Sequence, residues 1–85
     1  MKINTTINDT KVTLLPVNRG ERTTEVRLAN GIEINSQVSI TWIGEDKDFD
    51  DIADYSHANP LTAAALVAAG VDMKNMVALI EVRLS

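Results

Sequence analysis

Between Ile3 and Leu14 the apolar residues change parity once, and the change falls at Asn8-Asp9. Ile3 and Ile7 are odd-numbered, with Thr5 between them, and Val12 and Leu14 are even-numbered. A two-residue turn at Asn8-Asp9 reconciles the two sets. It places Ile7 opposite Thr10, Thr5 opposite Val12 and Ile3 opposite Leu14, so the apolar side chains share one face of a hairpin. Asn and Asp suit such a turn because they tolerate the positive φ it demands. Leu15-Pro16 is then expected to end the second strand, since proline has no N–H to give to a ladder. Residues 17–22 read as an exposed loop.

The same argument predicts a second hairpin. Thr24, Val26 and Leu28 alternate with Thr23, Glu25 and Arg27 before Asn30-Gly31. A three-residue loop, Ala29-Asn30-Gly31, pairs Leu28 with Ile32 and Val26 with Ile34, with Gly31 in the left-handed position of a G1 bulge. The even positions Ile32, Ile34, Val38, Ile40 and Trp42 continue the alternation as one long strand of about 12 residues over 32–43, apolar on one side. Such one-sidedness predicts an antiparallel sheet with one wet face.

Helical signals come later. Phe49, Ile52 and Ala53 fall on one side of a short helix with acids on the other. Asn59-Pro60 reads as an N-cap followed by proline at the first helical position, and Gly70 as the residue that ends the helix over 61–69. Residues 76–84 fit either state, and the β-branched Val77, Ile80 and Val82 favour a strand. At 85 residues the chain supports one domain, 1–85. The expected fold is α+β: a small twisted antiparallel sheet of four or five strands, in the order ββββααβ, with one or two short helices packed on one face.

The charge is localised. Of the twelve acids, Glu45, Asp46, Asp48, Asp50, Asp51 and Asp54 lie within ten residues that hold one base, Lys47. That segment carries −5, while the other 75 residues carry +1. The only aromatics, Trp42, Phe49 and Tyr55, lie in or beside it. An EF-hand starting at Asp46 needs glycine at position 51 and glutamate at 57; Asp51 and His57 stand there, so that motif is rejected. As an ordinary helix face, the acids would favour a helix N-terminus. As a recognition surface, Glu45, Asp46, Asp48, Asp50, Asp51 and Asp54 would dock on a basic protein partner, with Trp42 and Tyr55 as aromatic anchors.

Several classes are disfavoured. Without cysteine there is no thiol nucleophile or zinc ribbon, and neither a metal site nor a cofactor is expected. The one histidine, His57, precedes the Asn59-Pro60 cap and reads as a surface or capping residue; no phosphate-binding loop or nucleophile elbow occurs, so no enzyme is expected. Scattered bases and few aromatics argue against nucleic acid. No apolar run approaches the roughly 20 residues of a membrane span, and the first six residues lack the apolar stretch of a secretory signal, so a cytoplasmic protein is expected.

The function these features favour is a non-catalytic interaction module. In size and charge alone the chain is similar to small acidic phage or mobile-element inhibitors that block nucleases or CRISPR-type defence complexes. Two alternatives stand beside it. Arg19 and Arg22 around Gly20 could serve a small-molecule or nucleotide-binding oligomer. A structural or assembly subunit would use exposed sheet edges and the helix over 61–69, whose Leu61, Ala64, Ala65 and Ala68 form a candidate homodimer seam.

Overall fold

The computed structural model describes residues 1–33, 38–42 and 60–84. Its elements are β1 (Ile3–Ile7), β2 (Thr10–Asn18), α1 (Thr23–Ala29), β3 (Val38–Trp42), α2 (Pro60–Ala68) and β4 (Met76–Leu84). The four strands form one antiparallel sheet in the order β1-β2-β4-β3. The expected α+β class with an antiparallel sheet therefore holds, but the order among the described residues is ββαβαβ rather than ββββααβ.

The first hairpin has the predicted register: Ile3, Thr5 and Ile7 face Leu14, Val12 and Thr10. Asn8 and Asp9 both take positive φ, 49° and 65°, as a turn that follows the strand twist requires. β2 does not stop at Pro16, however. It runs to Asn18, because its ladder to β1 ends at Leu14 and from Leu15 onward it pairs with β4 alone. A strand with one neighbour uses only alternate N–H groups, so a proline fits within it.

The predicted second hairpin is replaced by α1. Thr23–Ala29 is helical, and Asn30 and Gly31 close it as a C-cap instead of turning a strand. The Ile32 N–H donates to the Arg27 carbonyl at 2.8 Å and the Gly31 N–H to the Leu28 carbonyl at 3.1 Å, the paired bonds of a Schellman motif. Gly31 has the left-handed backbone expected of it, φ +75°, but as a helix terminator rather than a bulge. Asn30 adds a bond from its side-chain Nδ2 to the Val26 carbonyl at 2.7 Å. Seven residues are too few for a helix to persist alone. Tertiary contacts hold it: Val26 is buried in the core, and the Arg27 Nη2 donates to the Glu33 carbonyl at 2.7 Å. Ile32 and Glu33 are outside any strand, and of the expected 32–43 strand the described part is β3. The expected helix around Phe49, Ile52 and Ala53 lies outside the described residues.

The two described helices lie on opposite faces of the sheet. Of the two helices expected to pack on one face, around 49–53 and over 61–69, only the second lies among the described residues, and α1 on the other face was not expected. Leu66 of α2 packs with Ile7, Val12, Leu14, Met76 and Leu79. Val26 of α1 packs with Leu15, Val17, Ala78, Ile80 and Val82. Alternation along β2 sends Leu14 and Leu15 to opposite sides, and both are fully buried. β2 and β4 thus bury apolar residues on both faces, as strands covered on both sides do. The edge strands are one-sided, but to opposite sides: Ile3 and Ile7 join the α2 cluster, while Val38 and Ile40 join the α1 cluster.

β4 is a strand, as its β-branched residues suggest, with one irregularity. Val17 faces Ala78 whereas Asn18 faces Met76, so Val77 is an extra residue on β4. The bulge changes the parity of the chain and returns Met76 to the α2 side, where it is fully buried.

α2 starts at Pro60 and ends as predicted. Gly70 takes φ +81°, the Gly70 N–H donates to the Val67 carbonyl at 3.0 Å, and the Val71 N–H donates to the Leu66 carbonyl at 3.1 Å.

Candidate functional site

Of the predicted partner-binding residues, Trp42 is the one that the described structure positions. It closes β3, opposite Ala78, on the side of the sheet that α1 covers. Ala78 and its own neighbour Val17 are buried, but Trp42 is 54 % exposed, at the end of an edge strand. The described structure therefore holds a large aromatic at the surface three residues before Glu45, the first acid of the −5 segment. Glu45, Asp46, Asp48, Asp50, Asp51, Asp54 and Tyr55 lie outside the described residues, as do Phe49 and His57.

The predicted self-association residues divide. Ala65 packs against the core, next to the buried Thr62 and Leu66, and is not part of the outward face. Leu61, Ala64 and Ala68 do point outward, together with Val67, which the candidate set omits. Leu61 is 52 % and Val67 64 % exposed. At 100° per residue, positions 61, 64, 67 and 68 span about one third of the helix circumference, and none of them is polar. The signal for Val67 was available in that same periodicity.

Among the described residues, two surface depressions contain polar groups. One, about 410 Å³, is lined by Asn4, Thr5, Thr6, Lys11, Val12 and Thr13; there the Thr13 hydroxyl donates to Asn4 Oδ1 at 3.0 Å. It offers hydroxyls, an amide and one cation, and no carboxylate or imidazole that could act as a general base. The other, about 200 Å³, lies among Val38, Ser39, Glu81 and Arg83. Glu81 is 7 % exposed, sits opposite both Leu14 and Ser39, and pairs with the Arg83 Nη2 at 3.4 Å. Sequence reasoning missed this buried acid, since a lone Glu in Ile80-Glu81-Val82 resembles any solvent-facing strand position.

Arg19 and Arg22 flank Gly20 in the turn between β2 and α1. The turn is fastened by the Arg19 N–H to the Asn75 carbonyl at 2.8 Å and by the Asn18 N–H to the Glu21 carboxylate at 2.8 Å. The Glu21 carboxylate between the two arginines in sequence opposes an anion there.

No helix among the described residues is long and apolar enough to cross a membrane. No protein-family model matches the chain, and no curated protein and no solved structure matches it.

Proposed function

We propose that this protein is a non-catalytic interaction module that docks on a basic surface of a protein partner through its acidic segment. The observation that carries this reading is the segregation of charge, with −5 concentrated in residues 45–54 and +1 spread over the rest. The exposed Trp42 immediately before that segment supports it, because aromatic anchors beside a charged patch combine burial with electrostatic steering. An inhibitor of a nuclease or of a CRISPR-type defence complex suits this chemistry, since such partners present grooves built for phosphate and a run of carboxylates can occupy one.

The test replaces Asp46, Asp48, Asp50 and Asp51 by asparagine and measures the association rate with a captured partner across ionic strength. The variant should associate more slowly and with a flatter salt dependence, its fold unchanged. Equal rates and equal salt slopes for the two proteins would end the electrostatic reading. A second reading, a homotypic assembly subunit, draws on the exposed apolar arc of α2 formed by Leu61, Ala64, Val67 and Ala68.

A further inference from the structure

We infer that the open edge of β1 pairs with the β1 of a second copy of this chain, joining two four-stranded sheets across a two-fold axis at Thr5. The inference does not depend on the acidic segment.

β1 is the terminal strand of the sheet and, among the described residues, pairs on one side only. Its hydrogen-bonding phase follows from the turn. The residues flanking a two-residue turn, Ile7 and Thr10, form a hydrogen-bonded pair, and such pairs recur at every second residue. Ile3, Thr5 and Ile7 therefore direct their N–H and C=O groups to β2, and Asn4 and Thr6 direct theirs to the open edge. Sheet edges are usually protected by lysine, proline or a bulge. Ile3-Asn4-Thr5-Thr6-Ile7 contains none of these, and its side chains carry no charge.

The strand is complementary to itself. Antiparallel pairing of like edges requires a two-fold axis along the sheet normal, so one residue meets its own copy. With Thr5 at the axis, Asn4 meets Thr6 of the second copy and Ile3 meets Ile7. The outward backbone groups of Asn4 and Thr6 then form two hydrogen-bonded pairs, and the apolar Ile3–Ile7 pairs extend the core on the α2 side. Charge is also complementary: the exposed Lys2 runs beside Asn8 and the exposed Asp9 of the second copy, at both ends of the seam. Moving the axis to Asn4 or Thr6 sets isoleucine against threonine, and moving it to Asn4 also loses the lysine–aspartate approach.

Five residues of edge alone fall short of the roughly 1,200 Å² that a stable interface buries. α2 supplies further surface. It rests on β1, so the two copies of α2 flank the axis on one face of the joined sheet. There the small outward residues Ala64 and Ala68 permit close approach, and Leu61 and Val67 gain cover.

Sedimentation over a concentration series tests the pairing. The wild-type protein should show a reversible monomer–dimer equilibrium, the dimer having twice the 9.3 kDa chain mass. Asn4→Lys combined with Thr6→Lys changes two exposed side chains and sets lysine against lysine at both cross-copy pairs; it also removes the bond that Asn4 Oδ1 accepts from the Thr13 hydroxyl, a loss shared by every variant that carries Asn4→Lys. Its dimer dissociation constant should rise roughly tenfold, with circular dichroism unchanged. Asn4→Lys combined with Thr6→Glu sets lysine against glutamate at the same pairs and should keep or tighten the dimer. Wild-type protein that stays monomeric throughout overturns the inference, and so do two double variants that associate alike. A dimer broken by Val67→Glu but indifferent to both edge variants would also overturn it, placing the seam on α2 alone.

Discussion

Replacing Leu66 by alanine tests the two-sided sheet most directly. Leu66 is fully buried and is the side chain through which α2 enters the cluster of Ile7, Val12, Leu14, Met76 and Leu79. Leu→Ala changes in cores cost about 2.7–5 kcal/mol, the spread reflecting how far the site collapses around the cavity. α2 is the only described helix on its face and can settle toward the sheet, so the lower part of that range applies, about 3 kcal/mol. At about 4–8 °C per kcal/mol, the Tm should fall by roughly 12–24 °C. The companion change, Val26→Ala, removes two methyl groups from the other cluster. At about 0.8 kcal/mol per group, less about 0.5 kcal/mol for the better helix propensity of alanine, it should cost about 1 kcal/mol.

The decisive quantity is the coupling between the two. Leu15, Val17, Ala78, Ile80 and Val82 surround Val26, and none of them belongs to the cluster around Leu66. With no shared neighbour and a sheet between them, the costs should add to within about 0.5 kcal/mol. Urea unfolding of the wild type, both single variants and the double variant measures this. The combined loss of about 4 kcal/mol approaches the lower bound of the roughly 4–13 kcal/mol expected for a chain of this length. Where the double variant does not fold, Ile7→Val replaces Leu66→Ala at about 0.5–1.5 kcal/mol. A coupling above about 1 kcal/mol, or a Leu66→Ala cost below about 1 kcal/mol, would refute the placement of the helices on opposite faces.

Two local substitutions have definite signs. Gly31→Ala should destabilise by about 1–2 kcal/mol, from backbone strain alone: at φ +75° a β-carbon is strained, yet nothing lies within 4 Å of where it would sit. A Gly31→Ala protein that melts at the wild-type temperature would contradict the α1 cap. Asp9→Gly should raise stability by up to about 1 kcal/mol in the same assay, since Asp9 holds φ 65° in a turn whose second position favours glycine; a loss of stability would show that the Asp9 side chain contributes more than its backbone strain costs.

Local chemistry determined much of this fold. The parity change at Asn8-Asp9 set the register of the first hairpin, and proline and glycine marked the ends of α2. These signals are strong because each acts on its own neighbours: a turn that must take positive φ, an N–H that is missing, a carbonyl that needs a donor. Where two structures satisfy the same local rules, only tertiary contacts decide. Val26 and Leu28 alternate as a strand would, and Asn30-Gly31 ends a helix as readily as it turns a hairpin. The helix forms because Val26 fills the face made by Leu15, Val17 and Ile80, while Val38–Trp42 takes the place beside β4. Pro16 shows the same dependence, for its strand continues only because β1 has already ended. Helix placement was hidden for a related reason. The run from Val12 to Val17 is buried on both sides, which is legible as hydrophobicity but does not say which helix covers which face. For the candidate site, the carboxylate run and its aromatics are visible in the chain itself, because charge density is a property of sequence. The exposure of Trp42 and Val67 is not, since the same residues would be core in a sheet with one more strand or a helix with one more neighbour.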